Sequence, residues 1–349
     1  MRSRERRQER RTAVNQIVAE TKAEPQYEIP FADRLAILRN VAELLRTRRD
    51  EVLQILFESC NYRTAVGEIE VSIATLEGAE QEMARFRPPR LEQLAVLMPS
   101  NIPLYSYILY LLIPSLYSDR LVFRPSGRIS SQTERLHKLL GEAHGLPIVL
   151  RQSGQRDFLR NDVTGSQVLV FTGAFENAEK IRGQLRKDQL FLYFGQGINP
   201  FVVGPDADVG KAVDGALRAR MLNSGQDCFG PDVYFVHTSV SSQFFNLLSR
   251  RVRSLKHGRH EDPTADYGSM YYLDAFEGAL AHLVDDRVYI LVGGRADLTE
   301  GHLTPTVLVR PVESVAEAVL ETYLRTTRAL LFHAQFLAQH AHTVAVTPC

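Results

Sequence analysis

From Pro30 onward apolar residues return every third and fourth position: "DRLAILRNVAELLRTRRDEVLQILFES" keeps that beat over residues 33–59. After a break at Asn61, "VGEIEVSIATLEGAEQEMARF" repeats it over 66–86. This period predicts two long amphipathic helices at the head of the chain. The pattern then changes to short apolar runs, each closed by turn residues: "LAVLMPSNIP", "RLVFRPSG", "LPIVLRQSG", "QVLVFTG" and "FLYFGQG". Helical stretches separate them. Strands alternating with helices predict a mostly parallel sheet with crossover helices, with ligands beyond the carboxyl ends of the strands. The longest apolar run, "LYSYILYLLIPSLY", is interrupted by Pro114 and by serines. It falls short of the roughly 20 apolar residues that a membrane span needs, so it reads as a core helix.

A second block begins near Pro200. "PFVVGPDADVGKAVDGALRARMLNSGQDC" reads as a strand, an Asp-rich helix start and a helix running into Cys228. "DVYFVH" and "SQFFNLLSRRVRSL" follow as strand and helix, and "RVYILVGG" and "TPTVLVRP" as two further strands. No internal repeat is visible. The organisation expected is a basic segment over 1–29, a first α/β domain over 30–195 and a second over 196–349.

Composition narrows the function classes. The chain has 349 residues, 44% hydrophobic and 23% charged, with Lys+Arg and Asp+Glu both at 41. A balanced charge offers no global field for nucleic acid or an anionic membrane, so a small molecule is the expected partner. The arginine-rich start "MRSRERRQERR" also carries Glu5 and Glu9 and lacks an apolar h-region, which argues against a secretory signal and favours a solvated helix start. Three cysteines, Cys60, Cys228 and Cys349, stand far apart without a Cys-x-x-Cys pair. Neither a disulfide framework nor a cysteine zinc site is suggested, and a reducing cytoplasm fits. His257 and His260 in "KHGRH" have a spacing that can hold a metal, but no third ligand is apparent and a solvated basic loop is the simpler reading. His340 and His342 are read the same way. Cys228, after a Gly-Gln pair, is either a small buried hydrophobe or a nucleophile on its local sequence. Asn101, between two prolines, reads locally as a turn residue.

Taken in order, the motifs resemble the aldehyde dehydrogenase superfamily over roughly Pro30 to Glu321. "MPSNIP" resembles the family's Pro-Trp-Asn-Phe/Tyr-Pro turn with Ser100 in place of Trp, and "FRPSG" its Lys-Pro-Ser-Glu strand end. "FTGAFENAEKI" resembles Phe-Thr-Gly-Ser-x-x-x-Gly-x-x-Ile, "NSGQDC" the Gly-Gln-x-Cys motif, and "TPTVL" the downstream Pro-Thr-Val-Leu strand. The resemblance implies a Rossmann-like, parallel-sheet cofactor domain followed by an α/β catalytic domain that is shortened at its C-terminus. It also implies that Cys228 attacks an aldehyde carbonyl, with its own backbone N–H and the Asn101 amide as oxyanion donors. By the same carry-over Pro99, Ser100, Arg124, Ser126, Phe171, Thr172, Gly173 and Ala174 meet NAD or NADP. Gly173 would let a pyrophosphate approach a helix N-terminus, although it also reads as a plain turn glycine. Glu321 in "ETYLR" falls at the family's Glu-x-Phe-Gly-Pro motif, whose acid orients the nicotinamide ribose.

Departures redirect the expected chemistry. Gly127 replaces the family's glutamate after Lys-Pro-Ser, and Arg124 replaces its lysine, so a 2′-phosphate is tolerated and NADP is as plausible as NAD. Ala174 and Ala178 replace a serine and a glycine. The hydrolytic members' general-base glutamate has no counterpart in "LYFGQGINP", where Tyr193 or Phe194 stands, and no glutamate lies between Lys180 and His260. Without that base, hydrolysis of a cysteine thioester loses something like two to four orders of magnitude. An enzyme interconverting an aldehyde and an acyl thioester is therefore expected, with coenzyme A or an acyl carrier protein as thiol partner. The alternative is a non-redox acyltransferase or a pseudoenzyme subunit on the same scaffold. Because only 28 residues follow Glu321, either the domain is minimal or a partner or second copy completes it, and a homo-oligomer is the expected state.

Overall fold

The computed structural model describes residues 29–195, 199–228, 230–310 and 341–346. α1 (Phe31–Thr47) turns Leu35, Leu38, Val41, Ala42 and Leu45 inward. The predicted single helix is interrupted at Arg48, whose φ of −109° and ψ of 31° leave the helical region. α2 (Arg49–Leu56) then buries Val52, Leu53 and Leu56. Arg48 pairs with both Glu51 and Glu142, at 2.6 and 2.5 Å. The bend thereby seats a face on the neighbouring helices that a straight rod would carry past them. α3 (Tyr62–Phe86) is the second long helix, started by Asn61, whose side chain accepts the Thr64 N–H at 3.0 Å. Cys60 sits, buried, in the turn between α2 and α3.

Next comes a five-stranded sheet: β1 (Leu91–Leu97), β2 (Ser118–Arg124), β3 (Ile148–Leu150), β4 (Val168–Gly173) and β5 (Leu190–Gly195). Its order is β3-β2-β1-β4-β5 and every pairing is parallel. The crossovers contain α4 (Pro103–Tyr107), α5 (Ser130–His144), α6 (Gln155–Phe158) and α7 (Phe175–Arg182). The apolar stretch predicted as a core helix is buried at Leu104, Tyr107, Ile108, Leu111 and Leu112, but α4 passes into a π-helical turn over Ile108–Leu112. Apolar cores cover both faces of the sheet, as an all-parallel sheet requires. The strand order reverses between β1 and β4, the place where doubly wound sheets open a ligand crevice.

The second sheet collects β6 (Pro200–Val203), β7 (Val233–His237), β8 (Ile290–Val292), β11 (Val307–Arg310) and β12 (Ala341–Val346) in the order β6-β7-β12-β11-β8. Only β6 and β7 run parallel; the other three pairings are antiparallel. A small antiparallel hairpin, β9 (Ala296–Asp297) and β10 (His302–Leu303), stands apart. α8 (Val209–Arg220) is capped by Asp208 at 3.1 Å from the Lys211 N–H, and α9 (Thr238–Ser254) packs beside it. α10 (Leu273–Asp285) belongs to a separate small cluster with Leu303. Among the described residues no helix is long and apolar enough to cross a membrane.

Candidate active site

The segment that leads to Cys228 is held in an unusual backbone. Asn223, Ser224 and Gly225 take φ values of 47°, 57° and 83°, three consecutive residues in the left-handed region, of which only glycine enters freely. Such a run persists only where its surroundings over-determine it. Here they do: Thr64 Oγ1 accepts the Asn223 N–H at 2.8 Å, and Ser224 Oγ accepts from Gly268 N at 2.9 Å and from Asn61 Nδ2 at 3.3 Å. Gln226 Oε1 in turn accepts the N–H groups of Tyr271 and Tyr272 at 2.9 and 3.3 Å. The start of α3 and the segment 268–272 therefore hold the loop from two sides.

At the end of this loop Cys228 is exposed, and the structure brings Asn101 to it. The Asn101 amide and the Cys228 backbone N–H both donate toward the thiol and pull its pKa down. They are outweighed by the desolvation that surrounding protein atoms impose and by the adjacent Asp227 carboxylate, so the thiol lies above the ordinary cysteine value. Asn101 Nδ2 also stands 3.4 Å from Asp227 Oδ2. The second cysteine differs in kind: burial and Glu68 push the Cys60 thiol well up, and it donates to the Leu56 carbonyl at 3.2 Å. Cys349 and Glu321 lie outside the described residues.

Tyr193 and Phe194, the two candidates for the position of the absent glutamate, point to opposite faces of β5, as strand alternation demands. The Tyr193 ring stacks on Phe171 and Phe191 at 5.9 and 6.2 Å, and its hydroxyl donates to the Gly173 carbonyl at 3.1 Å. Phe194 stacks on Tyr110 at 5.7 Å. Burial raises the Tyr110 hydroxyl; the Thr172 hydroxyl opposes that shift, while Cys228 and Tyr105 add to it. Phe194 is thus on the cysteine's side of the sheet and Tyr193 is not.

The other candidates converge on one edge. Pro99, Ser100 and Asn101 follow β1; Arg124 and Ser126 end and follow β2; Thr172, Gly173 and Ala174 close β4 and open α7. These are three adjacent strands flanking the switch point. Ala174 is the N-cap of α7, so the first free N–H groups of that helix face the same crevice end. Pro99 is buried, and the buried Phe171 ring stacks against Phe191 and Tyr193. Gly173 is required for a local reason too, because a Cβ there would meet the Phe171 ring at 2.6 Å. Arg124 donates to the Ser153 and Pro125 carbonyls at 2.7 and 3.2 Å through Nε and Nη1, and Nη2 has no partner among the described residues.

Several residues around the thiol went unnoticed in the sequence. Asn199 Nδ2 donates to the Cys228 and Gly230 carbonyls at 2.6 and 3.1 Å and so fixes the peptide after the cysteine. Tyr272 donates to the Ser100 carbonyl at 2.5 Å. Glu68, fully buried, accepts the Leu104 and Tyr105 N–H groups at 3.1 and 3.2 Å and so caps α4, the helix that follows Asn101. Burial first, then the Asp227 charge, push its pKa to about 8 against those two N–H groups. A buried glutamate inside a predicted helix was the only signal.

The model of the aldehyde dehydrogenase family matches residues 5–322. This chain belongs to that family. It is 24% identical over 335 residues to the lactaldehyde dehydrogenase of Methanocaldococcus jannaschii, covering 86% of this chain and 70% of that one. It is 31% identical over 160 residues, 44% of this chain and 33% of the relative, to a probable NADP-dependent succinate-semialdehyde dehydrogenase of Sinorhizobium fredii. The succinate-semialdehyde dehydrogenase structure from Burkholderia pseudomallei superposes with a TM-score of 0.72 at 23% identity, over 79% of this chain and 63% of that one. A glyceraldehyde-3-phosphate dehydrogenase of Methanocaldococcus jannaschii in complex with NADP gives 0.70 at 22%, over 80% and 66%. The fold is therefore the aldehyde dehydrogenase fold, and the chain spans about two thirds, or less, of the length of these relatives.

Proposed function

We propose that this chain is an NAD(P)-dependent oxidoreductase that interconverts an aldehyde and an acyl thioester, with Cys228 as nucleophile. The observation that carries the reading is the convergence of the Asn101 amide and the Cys228 N–H on one thiol, with Phe194 and no glutamate on that side of β5. The Cys228 thiolate adds to the aldehyde carbonyl, and the developing oxyanion finds these two donors already in place, a pair whose individual members are worth about 10²–10³ in rate. Asn199 and the left-handed loop hold that arrangement against the push of the reaction. A nicotinamide cofactor supplies the hydride acceptor or donor. The crevice between β1 and β4, the N-terminus of α7 and Arg124 fit such a group: a glycine at the strand end, unpaired N–H groups and one uncommitted guanidinium nitrogen. Gly127 in place of a carboxylate leaves room for a 2′-phosphate as well as a 2′-hydroxyl.

Release is the step on which this reading differs from the hydrolytic members of the family. Water is a poor nucleophile without a positioned base, and Phe194, stacked on Tyr110 at 5.7 Å, has no carboxylate to hold it. A thiol such as coenzyme A or that of an acyl carrier protein is intrinsically strong and needs less help. The test offers aldehyde and oxidised cofactor with and without coenzyme A, and acyl-coenzyme A with reduced cofactor. Thiol-dependent turnover in both directions is expected. Rapid release of free acid without thiol defeats the thioester reading, and failure to quench or enhance NADH or NADPH fluorescence on titration returns the chain to non-redox acyl transfer.

A further inference from the structure

We propose that His257, His302 and Glu300 form a binding site for a divalent transition-metal cation, zinc being the best match. The three residues come from two segments far apart in sequence, and their ligand atoms lie within 4.8 Å of one another. His257 follows α9 and pairs with Tyr267 in an isolated bridge, while Glu300 and His302 come from the β9–β10 hairpin. The neighbouring histidine of the "KHGRH" run, His260, is not a ligand: its two ring nitrogens face the Phe57 and Ser269 carbonyls at 2.9 and 3.1 Å.

Each imidazole is already oriented as a metal-bound histidine is, with one ring nitrogen held by a neighbour and the other left free. His302 Nε2 meets the Tyr267 hydroxyl at 3.0 Å, and His257 Nε2 meets Ser269 Oγ at 3.3 Å. The Nδ1 atoms of both rings have no hydrogen-bond partner among the described residues, and neither has the Glu300 carboxylate. The rings stack at 3.8 Å between centroids, 22° apart in plane, an arrangement that two imidazolium cations would resist.

Two imidazoles and one carboxylate are the donor set of an open zinc site, with the fourth position left to water. Ligands about 2.0–2.2 Å from a tetrahedral metal stand about 3.4 Å apart, so groups within 4.8 Å of one another have at most about 1.4 Å to close. Glu300 is exposed in a hairpin turn and both histidines are partly exposed, so the approach is open and the carboxylate is free to swing in. A bound cation would staple the hairpin to His257, whose bridge to Tyr267 continues into the segment 267–270, and the Met270 N–H already joins that segment to the Gly301 carbonyl by a 2.9 Å bond. That same segment donates the Gly268 N–H to Ser224 in the cysteine loop, so the staple braces the loop without touching the reacting atoms.

Cobalt(II) titrated into the full chain tests this directly. Saturable visible absorption at about one cobalt per chain, displacement by zinc, and an upward shift in melting temperature are expected. Glu300→Gln keeps an exposed side chain of the same shape and so keeps the fold; it and His302→Gln should each lower cobalt affinity at least about tenfold, and Tyr267→Phe, which frees a ring without removing a ligand, about ten- to a hundredfold. Circular dichroism confirms that each variant is folded. Absence of saturable cobalt binding in the unaltered chain overturns the proposal, and so does undiminished binding in folded Glu300→Gln together with His302→Gln.

Discussion

Asp227 and Asn101 act on the Cys228 thiol in opposite directions, which makes their substitutions a matched pair. Asp227 is buried, raises the thiol by its charge and stands 3.4 Å from the Asn101 amide. Asp227→Asn removes the charge at constant shape, so the pH profile of Cys228 alkylation should move to lower pH. At pH 7 the rate should rise, because removing the carboxylate takes away one of the causes that raise the thiol. Asn101→Ala removes a donor that lowers the thiol, so the profile should move up, and turnover should fall about 10²–10³ if the amide also meets the oxyanion. Iodoacetamide labelling read by peptide mass spectrometry measures both, and shifts of the same sign in the two variants would remove the geometry described here. Cys60, buried and beside Glu68, should label far more slowly than Cys228 in the folded chain. Cys228 and Asn101 were legible in the sequence because their motifs are local and ordered. Asp227 was not, since its adjacency to the thiol says nothing of its burial, and Asn199 was not, since its bond to the Cys228 carbonyl spans 29 positions.

At the scale of elements, periodicity located the two leading helices and the strands β1 to β8 and β11, but not α10, β9, β10 or β12, nor the way the helices are interrupted. The break at Arg48 and the π turn after Tyr107 leave no mark on an apolar pattern, because both conserve which residues face inward while changing the backbone between them. The mixed order of the second sheet was hidden for another reason: strand direction there is set by pairing between β7, β12 and β11, segments far apart in the chain. The left-handed run at Asn223–Gly225 is the interruption that matters for chemistry. Its hold depends on Ser224, whose hydroxyl accepts from both Gly268 and Asn61. Ser224→Ala leaves those buried donors unpaired and should cost about 1–3 kcal/mol in urea unfolding. Gly225→Ala puts a side chain at φ 83° and should cost about 1–2 kcal/mol. Both should slow Cys228 labelling by loosening its backbone; an unchanged midpoint in Ser224→Ala would mean that the loop is held by something else.

For the molecule as a whole, stability against pH is the quantity that the buried groups decide together. His144 is held at about 4, by burial and then by His137; His137 and His302 are also held below the ordinary 6.5, chiefly by burial. A histidine that binds its proton less tightly when folded adds stability as pH rises toward its unfolded value, and that gain is complete above about 6.5. Glu68 has the opposite sign. Its folded value of about 8 lies above the ordinary 4.5, so the folded chain binds the proton more tightly, and stability falls as pH rises from about 4.5 to about 8. Below 6.5 the two trends offset each other; between 6.5 and 8 the glutamate is the one of these four groups that still changes the balance. The expected loss over that interval is about 2 kcal/mol, from about 1.4 kcal/mol per unit. Glu68→Gln keeps an oxygen to accept the Leu104 and Tyr105 N–H groups and cannot ionise, so its urea midpoint should stay level from pH 6.5 to 8 and exceed that of the unaltered chain at pH 8. Asp227→Asn should lessen the fall without abolishing it, because burial raises Glu68 more than the Asp227 charge does. A decline of the same size in Glu68→Gln would assign the pH dependence to another group and leave Glu68 as a cap alone.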